Sequence, residues 1–120
     1  MAGGAQLSVT DLRRSTRHPV DFRVIGEHLS HGDMDMRVVN ISAHGFMIDP
    51  RADVARGDRV IVRLPTIGRI ESYCIWVTEQ RAGFQFERII RLDDFMSMIG
   101  EIQPNPALRR RGWNAPEARV

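Results

Sequence analysis

The sequence predicts a small, mainly β domain, an antiparallel barrel or sandwich with one C-terminal helix lying on it. Three observations lead there. Apolar and charged residues alternate in short runs: Val20, Phe22 and Val24 against Asp21 and Arg23, then Val60, Val62 and Leu64 against Arg59 and Arg63. Turn-forming residues recur at short intervals, at 30–33, at 42–45 and at Arg56-Gly57-Asp58. After Arg91 the apolar spacing lengthens to a helical period. A chain of 120 residues has room for one hydrophobic core, and 42% hydrophobic with 27% charged residues is ordinary for a soluble globular unit.

The elements follow in order. Residues 1–11, small, polar and glycine-bearing, predict a flexible lead-in, and the folded domain is expected over 12–103. Pro19 biases His18 to an extended conformation, which opens the first strand. A turn at 30–33 precedes a second strand at about 34–41, whose alternation puts Val39 and Ile41 inward and Asn40 and Ser42 outward. A third strand covers about 46–49 and stops at Pro50; the fourth, carrying Val60, Val62 and Leu64, stops at Pro65. A fifth spans about 69–79, and the return at 83–87 sets Phe84 and Phe86 on one face. Over 91–103, Leu92, Phe95, Met96 and Ile99 predict the buried stripe of a helix, with Asp93 and Asp94 suited to the positive end of its dipole. Pro104 and Pro106 end it, and 104–120 reads as a disordered basic tail.

Composition excludes several function classes. The single cysteine, Cys74, rules out an internal disulfide framework, and its place in a strand reads as a small buried side chain. No apolar run approaches the roughly 18 residues that span a bilayer, and the N-terminus has no signal-peptide core, so a cytoplasmic protein without membrane insertion is expected. All 17 basic residues are arginine; without lysine there is no phosphate-binding P-loop, and no Gly-x-Ser-x-Gly elbow occurs. No acid, base and nucleophile assemble, so neither an enzyme nor a resident cofactor is expected. His28 and His31 have HxxH spacing, but in a strand-to-turn region with no third ligand in sight. Trp76, Phe84 and Phe86 lie within apolar strands and read as packing rather than as platforms for bases.

The net charge of +2 is unevenly placed. Residues 1–23 carry +2 and 104–120 carry +3, while 24–103 carry −3. A polyanion binder presents a basic stripe on its folded body, so this distribution favours a small anionic ligand held by a terminal segment.

Two short constellations could hold such a ligand. Arg13-Arg14-Ser15-Thr16-Arg17 sets Arg13 and Arg17 roughly 13 Å apart if extended, enough to flank a nucleotide. A guanidinium binds phosphate bidentately, pairs with the N7 and O6 acceptors of guanine, or stacks on its face. Asn40-Ile41-Ser42-Ala43-His44-Gly45 sets an amide and a hydroxyl at a strand end, with a glycine that permits close backbone approach. Each alone equally describes a solvated basic turn or ordinary turn punctuation.

Taken together and in this order, they resemble the PilZ domain family, bacterial receptors for cyclic di-GMP marked by RxxxR followed by [D/N]xSxxG. Arg13 and Arg17 match the first motif; Asn40, Ser42 and Gly45 match the second. The stretch DRVIVRLPTIGRIESYCIWVTEQRAGFQFE is similar to the family's later strands, and the resemblance covers about 12–103. It implies a six-stranded antiparallel β-barrel with a C-terminal α-helix and a ligand site on the outer face, where the arginine segment folds across. It further implies that Arg13 and Arg17 grip phosphate and guanine, that Asn40 and Ser42 contact the second guanine region, that Gly45 permits close approach, and that Arg14 supports them. Leu12 stands where an arginine in family members accompanies an intercalated ligand dimer, so one ligand per chain is expected. His44 is expected to be a loop residue. The signal would pass to a protein partner through the helix or the tail around Trp113. Two other readings stand beside this: a PilZ-like interaction adaptor that binds no nucleotide, and a small barrel binding single-stranded nucleic acid, against which the negative body weighs.

Overall fold

In the computed structural model, residues 15–102 are described. Arg13, Arg14, Leu12, the lead-in and the basic tail lie outside them. Six strands are present: β1 (His18–His28), β2 (Gly32–Ile41), β3 (Gly45–Ile48), β4 (Arg59–Leu64), β5 (Gly68–Val77) and β6 (Ala82–Phe86), followed by helix α1 (Leu92–Glu101). They close into a barrel in the order β1-β2-β3-β6-β5-β4, every neighbour antiparallel. Closure is made by β1 and β4, which pair Gly26 with Val62 and His28 with Val60. Closure removes the free sheet edges on which strands otherwise associate.

The predicted alternation fills the interior. Val60, Val62 and Leu64 point in and Arg59 and Arg63 point out, as do Phe84 and Phe86 against Gln85. Phe46 and Phe84, opposite each other across β3 and β6, stack at 4.8 Å between ring centroids. Cys74 is buried, and desolvation raises its thiol pKa, so it is packing rather than a nucleophile.

Two local expectations are corrected. In β2 the inward residues are Val38 and Ile41, not Val39 and Ile41. Register slips between Val38 and Asn40 against β3, so Val39 is an extra residue that resets the alternation. In α1 the buried residues are Phe95 and Met98, continued by Ile102, while Met96 is 47% exposed. Met96 fits a three-to-four spacing with Leu92 equally well; which of two overlapping stripes faces inward depends on how the helix is laid on the barrel end. That placement is tied at two points: Ile90 N–H donates to the Ala43 carbonyl at 3.0 Å, and the His18 ring packs on Phe95 at 5.4 Å.

Candidate functional site

The second motif sits where β2 turns into β3. Ser42 N–H donates to the Gly45 carbonyl at 2.8 Å, closing the turn, and Ser42 Oγ accepts the His44 N–H at 3.1 Å. Ser42 is only 2% exposed, where alternation had put it outward; the turn draws the hydroxyl back onto its own loop. The loop is also held from β6, since Phe86 N–H donates to the His44 carbonyl at 2.8 Å. Gly45 faces Gln85, and a Cβ there would fall on the Phe84 carbonyl oxygen. Its glycine is thus required first by strand–strand approach within the barrel.

Among the described residues, a hydrogen bond joins the first motif to the second. Arg17 Nη1 donates to Asn40 Oδ1 at 2.8 Å across 23 residues, while Asn40 Nδ2 faces Met47 Sδ at 3.8 Å. Because guanidinium only donates, this contact fixes which end of the amide faces the arginine. Asn40, Met47, Gly83 and Trp76 form one row across β2, β3, β6 and β5, and Trp76 lies over Gly83.

Arg17 differs electrostatically from most arginines of the body. Arg23, Arg37, Arg59, Arg63, Arg69, Arg81 and Arg91 each pair with a carboxylate. Glu27, clamped between Arg69 and Arg63, has its pKa lowered to about 2 by those hydrogen bonds. Asp21 in turn raises the pKa of Arg37. Among the described residues no carboxylate pairs with Arg17, whose partner is a neutral amide. Arg51, Arg56 and Arg88 likewise form no carboxylate pair among the described residues, so what sets Arg17 apart is its hydrogen bond to a motif amide.

Beside Arg17 the surface dips into an open depression of about 270 Å³ lined by Arg17, His44, Gly45, Ile75, Phe84 and Gln85. Phe84 has its ring inside the barrel, so it contributes main chain to the floor. Ile75 reaches the outer face by ordinary alternation with buried Ser72 and Cys74, and the register slip between Cys74 and Trp76 turns Trp76 outward beside it. Sequence reasoning missed Ile75 and Gln85 and treated His44 as loop only. The paired motif loop at 42–45 was the available signal for His44, and the alternation of Tyr73 and Ile75 with Ser72 and Cys74 was the available signal for Ile75.

The HxxH pair does other work. Ser30 and His31 N–H donate to His28 Nδ1 at 3.0 and 3.2 Å, so His28 Nε2 carries the proton facing Asp58 Oδ2 at 2.8 Å. That bond, with the Ala55 N–H, lowers the Asp58 pKa. Both ring nitrogens are engaged in tying the β1–β2 turn to the loop before β4. Among the described residues no group of three His, Cys, Asp or Glu could hold a metal ion. Nor, among them, is any helix long and apolar enough to cross a membrane.

The sequence profile of the PilZ domain matches residues 11–99. The chain therefore belongs to the PilZ domain family. Among solved structures it is similar to the crystal structure of the PilZ domain of CeSA from a cellulose-synthesizing bacterium. The TM-score is 0.53 and the identity 18%, over 73% of this chain and 95% of that one. At that identity the likeness is one of fold. No protein of curated function matches the chain.

Proposed function

We propose that this PilZ domain is a receptor for cyclic di-GMP, bound by Arg13, Arg17, Asn40 and the Ser42–Gly45 loop, and that it relays the bound state to a protein partner. The observation that carries the reading is the Arg17–Asn40 hydrogen bond, which joins the two halves of the family motif on one outer face, with no carboxylate among the described residues paired to the arginine. Arg17 retains donors for phosphate or for the N7 and O6 acceptors of guanine. Asn40 orients Arg17, and Ser42 shapes the loop that presents His44 and Gly45. Arg13 and Arg14 complete the grip from the preceding segment. The relay reading is supported by His18, next in sequence to Arg17, whose ring rests on Phe95 of α1. A ligand that engages Arg17 thereby acts, through His18, on the helix, where Met96 is exposed.

Isothermal titration with cyclic di-GMP tests this, with GTP as control. Saturable binding of one ligand per chain is expected. Arg17→Ala removes charge-assisted bonds worth about 1.5–3 kcal/mol, a loss of roughly 10- to 100-fold in affinity; Arg13→Ala should act likewise. Two ligands per chain would overturn the expectation from Leu12. No binding by the folded protein at millimolar ligand would overturn the receptor reading in favour of an interaction adaptor.

A further inference from the structure

We infer that Gln85 is a base-reading residue of this site, accepting hydrogen bonds from the Watson–Crick edge of one guanine seated in the depression over Ile75 and Gly45. The inference rests on the nucleotide reading above and names a specificity contact outside both motifs.

Three observations carry it. Gln85 is exposed on the outer face of β6, and no described residue takes up its amide, although it lines the same depression as Arg17. Its neighbour across β3 is Gly45, which has no side chain, so one flank of the amide is open to a ligand. Ile75, 43% exposed, points to that face by alternation with buried Ser72 and Cys74 and gives the depression an apolar wall.

Size and chemistry then select the occupant. The depression, about 270 Å³ and open to solvent, has room for a planar base with the rest of the ligand lying outside it. A phosphate subsite needs donors alone, whereas a carboxamide offers an acceptor and a donor in one plane beside an apolar wall. That set suits a planar base, with its face on Ile75 and its edge on Gln85. Guanine presents N1–H and the 2-amino group as adjacent donors for Gln85 Oε1, while Arg17 is suited to the opposite edge through N7 and O6.

The test compares cyclic di-GMP with cyclic di-inosine monophosphate, which lacks only the 2-amino groups, on the full chain and on Gln85→Ala. Expected for the unmodified chain is a preference for cyclic di-GMP of about 2- to 10-fold, the span of one hydrogen bond. Gln85→Ala should weaken cyclic di-GMP by a similar factor and lose most of that preference, an outcome that altered packing alone would not produce. Equal weakening of both ligands by Gln85→Ala, or no change, would overturn the Gln85 assignment and leave the receptor reading standing. An unmodified chain that binds neither ligand would overturn both.

Discussion

Gly45→Ala separates a glycine needed by the barrel from one needed by a ligand. The new methyl group would fall on the Phe84 carbonyl oxygen and stand 3.0 Å from Gln85 Cα, both main-chain atoms of β6. No side chain can rotate away, so β3 and β6 must part. Overpacking of this kind costs about 1–3 kcal/mol. Parting the strands also strains two bonds that hold the loop, Ser42 N–H to the Gly45 carbonyl and Phe86 N–H to the His44 carbonyl, both 2.8 Å. Each contributes about 1 kcal/mol. Alanine's lower entropy in the unfolded chain returns about 0.5–1 kcal/mol, which leaves a net loss of about 2–4 kcal/mol. For a domain of this size that is a fall in Tm of at least about 8 °C. Thermal unfolding followed by circular dichroism, without ligand, is the assay. Gly100→Ala is the matched control: a Cβ there meets nothing within 4 Å, and in α1 it should raise stability by up to about 1 kcal/mol. A Gly45→Ala protein melting within about 2 °C of the parent would refute the reasoning, since even 1 kcal/mol moves Tm further than that.

Three further outcomes are expected. The pKa of Glu27 is lowered from 4.5 to about 2, so the stability its clamp contributes is present above pH 4.5 and is lost as pH falls towards 2. The Tm gap between the parent and Glu27→Gln should therefore close over that range, and close also in molar salt; a gap that persists at pH 2 would contradict it. Burial of His18 against Phe95 lowers its pKa below 6.5, so the folded state binds fewer protons than the unfolded one and stability falls as pH drops through 6.5. His18→Phe should remove that part of the pH dependence, read from Tm between pH 7.5 and 5; an unchanged slope would sink the assignment. Phe95→Ala, at a position with no solvent exposure, should cost about 3–5 kcal/mol in urea unfolding, and a loss under about 1 kcal/mol would mean that α1 is not docked as described.

The sequence was enough for the order and type of the elements, because side-chain alternation, prolines at strand ends and a change of period are local signals that survive in one dimension. It was also enough to pair RxxxR with NxSxxG, and thereby to expect the family, although not to join the two motifs in space. The tertiary structure decided the rest. Register slips at Val39 and Ile75 turn the residues that follow them, Asn40 and Trp76, to the face that strict alternation forbids, and a slip is set by the strand alongside, not by the strand itself. The choice between Met96 and Met98 as the buried methionine was settled by what α1 lies on. Ser42 folded back into its own turn, and Arg17, His44, Ile75 and Gln85 came to share one depression, because barrel closure brings β3, β6 and β5 side by side and lays the start of β1 against the turn between β2 and β3. Local chemistry determines what each strand can be; only closure of the barrel determines which side chains meet.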